Sequence, residues 1–222
     1  GKSSNTVNAG VVRGVRGTTA AAHADDTVVK EANDFVGFGQ ASATTAGSGS
    51  NIRLWAQDNW GEDLAFNVYD GAPYYWDKTL GLENRATTFA SQTGASGAPT
   101  ITRRTMVSGA DRHIVCLGCN PIGETEQDLL MIRWSDQEGP FDWTPTATNT
   151  AGSQRISSGS EIIAAQKTRQ EMLVWTDSSL HAMRFVGPPF TFGISMLANN
   201  VSIIGPNAAT TVGDKVFWMD RE

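Results

Sequence analysis

Cysteine, histidine and lysine are all scarce in this 222-residue chain, at two, three and five residues. Two cysteines, Cys116 and Cys119, cannot build the disulfide framework of a small secreted scaffold. Few lysines and a formal net charge of −6 argue against a broad basic face that grips nucleic acid. No apolar run approaches the roughly 20 residues that a membrane-crossing helix requires. A phosphate-binding P-loop, a dinucleotide fingerprint and a nucleophile elbow are all missing, which removes the best-marked enzyme classes. A secretory leader is not evident, yet the chain opens at Gly1 and stops inside VFWMDRE, so a segment of a longer protein is expected.

What the chain does have is glycine, at 23 residues, and many short β-rich runs. IRLWAQ, LAFNVY, DRHIVCLGC, LLMIRW, EIIAAQ, EMLVW, LHAMRFV, VSII and KVFWM alternate or cluster their apolar residues as strands do. Gly, Pro, Asp and Asn punctuate the gaps. One segment, LENRATTFAS (residues 82–91), reads as a short helix. Four stretches, YYWD, RWSD, LVWTD and VFWMD, carry a tryptophan followed at once or after one residue by an aspartate: Trp76 and Asp77, Trp134 and Asp136, Trp175 and Asp177, Trp218 and Asp220. Two of the three intervals are close to 40 residues, a period of β-propeller blades. The expected fold is therefore all-β: a partial β-propeller of about four-stranded blades over residues 51–222, truncated at the C-terminus. A Gly/Ala/Ser/Thr-rich arm, or loosely packed strands, would occupy residues 1–50. Each tryptophan is expected to cover the gap between neighbouring sheets, and each aspartate to accept from backbone N–H groups just downstream.

Residues that could carry chemistry have plainer structural readings beside them. His113, Cys116 and Cys119 form HxxCxxC without a fourth ligand. Strand positions three apart face opposite ways unless the chain turns at Gly118, so two buried structural thiols are expected. Asp58, Glu62 and Asp63, then Asp136, Glu138 and Asp142, cluster near tryptophans as the paired carboxylates of a glycosidase would. SDQEGPFDW contains the residue types of a sialidase Asp-box but not its spacing, and no arginine triad accompanies it. His23 and His181 lack a partnering nucleophile, and His181 reads as packed beside Met183 and Phe185. Arg103, Arg104 and Arg112 form the one local basic patch, a possible contact to a neighbouring subunit or to DNA. No catalytic residue, cofactor site or metal site is expected.

Several phrases point further: RLWAQDNWGEDLAFN, GAPYYWD, CNPIGETEQDLLMIRWSDQEGPFDWTPTATNTAGSQRI, EMLVWTD, VGPPF and SIIGPNAATTVGDKVFWMDR. They resemble the tail nozzle, or packaged-DNA stabilisation, proteins of short-tailed bacteriophages, over about residues 51–222 and most distinctively over 117–156. That resemblance implies a non-enzymatic virion protein, assembled in the host cytoplasm into the phage tail. It implies a homohexameric ring that joins portal, adaptor and other tail proteins, retains packaged DNA and forms part of the ejection channel. An acidic chain suits passing DNA, because few cations bind phosphate. The alternative is a propeller that binds or hydrolyses host cell-surface polysaccharide.

Overall fold

The computed structural model describes residues 54–82, 84–109 and 111–221. The expected arm at 1–50 lies outside the described residues. The described residues divide between two units, Lys78–Arg85 in one and Arg53–Asp77 with Ala86–Glu222 in the other. In the first, Lys78–Leu80 makes a 3-10 turn. Every strand among the described residues belongs to the second.

The fold is all-β, and the described residues form four antiparallel sheets taken in chain order. The first holds β1 (Trp55–Trp60), β2 (Asp63–Val68), β3 (Pro73–Trp76) and β4 (Thr87–Thr88). The second holds β5 (Thr102–Val107), β6 (Ile114–Cys119), β7 (Met131–Trp134) and β8 (Gly152–Arg155). The third holds β9 (Ile162–Lys167), β10 (Met172–Thr176), β11 (Ser179–Gly187) and β12 (Thr191–Asn199). The fourth is the hairpin of β13 (Ala209–Val212) and β14 (Lys215–Trp218). In every sheet each strand pairs with its neighbour in sequence. Two-residue turns close β1–β2 and β13–β14, with Gly61 and Gly213 at φ +65° and +66° as such tight hairpins need.

Consecutive sheets pack face to face, and alternation along each strand divides its side chains between two cores. On β10, Met172 and Val174 enter the core shared with the second sheet, while Leu173 and Trp175 enter the core shared with the fourth. On β6, Val115 and Leu117 face the third sheet, while Ile114 and Cys116 face the first. Strands buried on both faces read as unbroken apolar runs, which is why IVCLGC and MLVWT lack a polar alternation.

Two expectations need correction. Residues 82–91 are not a helix: Thr87–Thr88 is a strand paired to β3, followed by a 3-10 turn at Phe89–Ser91. Two consecutive β-branched threonines favour that pairing, and the Phe89 ring anchors the turn by full burial in the core between the first and second sheets. The Trp–Asp markers also are not equivalent positions. Trp76 and Trp134 end third strands, whereas Trp175 is the last residue but one of a second strand and Trp218 ends another.

Candidate functional site

The first strands of the four sheets run side by side in chain order, with β1 against β5, β5 against β9 and β9 against β13. Polar side chains link them. Asp58 of β1 accepts from the Val107 N–H of β5 at 2.8 Å and pairs with Lys167 Nζ of β9 at 2.6 Å. Asn67 of β2 donates to the carbonyls of Thr102 and Arg103 and accepts from the Thr105 N–H, all within 3.0 Å. Thr211 of β13 donates to the Lys167 carbonyl at 3.0 Å.

Arg103 is the centre of this linkage. It is 8% exposed, pairs with Asp70 at 3.1 Å and Glu161 at 2.6 Å, donates to the Ile162 carbonyl, and lies 5.1 Å over the Tyr69 ring. Burial works against its charge. The Glu161 hydrogen bond and the neighbouring acidic groups outweigh that and hold its pKa above the usual value. Arg104 turns the other way, donating to the Pro206 carbonyl at 2.8 Å and Asn207 Oδ1 at 3.2 Å. Burial lowers its pKa against the pull of Asp58, and its Nε is buried without a hydrogen-bond partner among the described residues. Arg112 sits at the far end of the β5–β6 hairpin, paired with Glu138 at 3.2 Å and lying 4.9 Å over Trp60. The three arginines therefore do not form one surface patch.

The marker residues divide by environment. Trp134 fills the core between the second and third sheets and donates its indole N–H to the Thr150 carbonyl at 2.9 Å. Trp175 is fully buried between the third and fourth, 5.8 Å from Trp218, which is 40% exposed. Trp76 and Asp77 are half-buried. The aspartates bind across the fold more than along the turn. Asp136 Oδ1 accepts from the N–H and hydroxyl of Thr150, each at 2.7 Å, and Asp177 accepts from the N–H and hydroxyl of Ser160 at 2.8 and 2.5 Å. Asp220 accepts from the Ser202 hydroxyl. Asn120 acts in the same way, with its Oδ1 accepting from the N–H groups of Thr100 and Ile101. In the second, third and fourth sheets, then, a residue just after the second strand holds the segment that leads to the first. The Trp–Asp pattern caught two of these three clamps and missed Asn120, because its strand ends on Cys119 rather than tryptophan.

His113, Cys116 and Cys119 do not converge on one point. The His113 ring is held by Asp111 at Nδ1 and the Thr150 hydroxyl at Nε2, each at 3.0 Å. The chain does turn at Gly118, φ +58°, where a Cβ would press on Arg103 at 3.1 Å. That turn brings both thiols to the core between the first two sheets. Burial pushes the Cys116 thiol up to about 12, and burial with the adjacent Cys116 raises Cys119 as well. His181 is packed and bonded to the Ser179 hydroxyl at 2.9 Å, with its pKa lowered by burial.

A cleft of about 270 Å³ opens between the second and third sheets. Its lining comes from the β5–β6 loop, the turn after β7, the β9–β10 turn and the β11–β12 hairpin. No motif marks these residues, because they converge from four separate loops. Among the described residues no group of His, Cys, Asp or Glu is arranged to hold a metal, and no helix is long and apolar enough to cross a membrane. The chain matches no model of a known protein family and no curated protein sequence.

Proposed function

We propose that this chain is part of a β-propeller, and that it serves as a structural subunit of a short-tailed phage tail nozzle. The observation that carries the fold is the adjacency of β1, β5, β9 and β13, each opening a meander that stacks face to face on the next. First strands begin at Trp55, Thr102, Ile162 and Ala209, roughly 50 residues apart and close to known propeller periods. Radial stacking of four-stranded meanders around a shared inner edge is the propeller plan.

Two features support a structural role. Arg103, the most buried of the three basic candidates, is spent on inter-sheet pairing rather than presented to a ligand. The net charge of −6 leaves little attraction for phosphate, as a DNA-conducting ring requires. The phage assignment itself rests on the resemblance of residues 51–222 to nozzle proteins. In this reading six copies close a ring on the portal and adaptor stack, retain the genome and conduct it on ejection, with no enzymatic activity. Negative-stain electron microscopy of the purified protein tests this. Six-fold rings are the expected result, and a monomeric particle in the presence of portal and adaptor would overturn it.

A further inference from the structure

The cleft between the second and third sheets has the chemistry of a sugar site. Its floor is apolar, formed by the buried Met172, Met183 and Phe192. Phe185 stands at its side, 39% exposed, braced by Phe192 at 5.8 Å and His113 at 5.6 Å. Polar groups ring it: Ser108, Asp111, Gln137, Arg169, Gln170 and Glu171. From this arrangement we propose that the cleft binds a pyranose unit of a saccharide.

The charge pattern narrows the ligand. Lys167 is paired with Asp58, Glu171 with Arg184, and Asp111 with His113. Arg169 is the lining cation without a carboxylate partner among the described residues, and one guanidinium is too little for a polyphosphate. A purely apolar ligand would strip water from Gln137, Gln170 and Asp111 without replacing their hydrogen bonds. A pyranose offers an apolar C–H face to the exposed ring and equatorial hydroxyls to the carboxylate, amides and guanidinium. The volume lies just below the roughly 300–1,000 Å³ of most small-molecule pockets, so it suits a mono- or disaccharide better than a long chain.

The walls are also held in place. Arg112 and Glu138 adopt positive φ, 44° and 57°, and are tied to each other by the 3.2 Å ion pair and a 3.0 Å backbone bond. They adjoin Asp111 and Gln137. Thr191, a β-branched residue at φ +59°, adjoins Phe192 and is fixed by its hydroxyl bond to the Thr150 carbonyl. Conformations of this kind are strained and persist where the surroundings enforce them, commonly at binding sites.

This site is independent of the nozzle reading and stands or falls without it. The test is saturation-transfer NMR on the full chain with the methyl glycosides of glucose, galactose, mannose, N-acetylglucosamine and glucuronic acid at millimolar concentration. Transfer to the ring protons of at least one glycoside is expected, reduced at least five-fold by Phe185→Ala and by Asp111→Asn. Trp218→Ala, on the remote fourth sheet, should leave it unchanged. Phe185→Leu serves as the second variant if Phe185→Ala unfolds, because it keeps the bulk and removes the ring. No transfer to any of the five, or transfer that survives loss of the Phe185 ring in a folded protein, overturns the proposal.

Discussion

Arg103 is almost sealed from water and still charged, because Asp70 and Glu161 flank its guanidinium and the Ile162 carbonyl takes a further N–H. Removing the guanidinium leaves a gap at the sheet junction and takes the pairing from two carboxylates that are themselves only part-buried. Arg103→Ala is expected to lower unfolding free energy by about 2 kcal/mol, solvent screening of the two carboxylates keeping it below a fully buried pair, while Arg112→Ala, at a more exposed ion pair, should cost under about 1 kcal/mol. Urea melts of the two variants distinguish them, and equal losses would mean that Arg103 is not the inter-sheet tie. Trp175 offers a second case. It is fully buried, and its indole N–H has no partner among the described residues. Trp175→Ala should cost about 3–5 kcal/mol. Trp175→Phe should cost much less, since it also removes a buried donor that was never satisfied. For the thiols, burial and raised pKa predict that Cys116 and Cys119 resist iodoacetamide at pH 8 and react fully in guanidinium. Rapid alkylation of the native chain would contradict their placement.

Among the elements, most strands were legible in the sequence because β-formers, Gly and Asp mark their middles and ends. The failures share a cause: tertiary partners outweighed local preference. LENRATTFAS has helical spacing, yet Thr87 and Thr88 gain more by pairing with β3. The aspartates after the tryptophans were recognised as fasteners, but their partners, Ser160 and Thr150, lie too far along the chain for a turn rule to find. Clamps of this kind carry a pH signature. The carboxyls of Asp177 and Asp142 are both held below the usual range. Ser160 donors outweigh burial at Asp177, and the Ser96 hydroxyl leads at Asp142. With native pKa values depressed, their stabilisation is present above the unfolded carboxylate pKa, roughly 3.9, and is lost as pH falls through the native values. Thermal melts should therefore fall steeply below about pH 4, and Asp177→Asn should flatten that fall. Glycine matters at one strand start. A Cβ on Gly152 would lie 2.6 Å from the Trp134 ring, so Gly152→Ala should displace that indole and destabilise the second sheet.

At the scale of the whole molecule, three face-to-face cores and a row of adjoining first strands hold the described sheets together. The residues that join the sheets (Asp58, Asn67, Arg103 and Thr211) are polar, and only the structure brings them together. The cleft between the second and third sheets was not legible either, since its walls come from four separate segments between Ser108 and Phe192. The proposed nozzle role, in contrast, comes from phrases in the sequence. Immunogold labelling of short-tailed phage particles, on the proposal that they carry this protein, tests that role most directly. The account predicts label confined to the tip of a short tail. Label on lateral spikes, or intact particles with none, would contradict it.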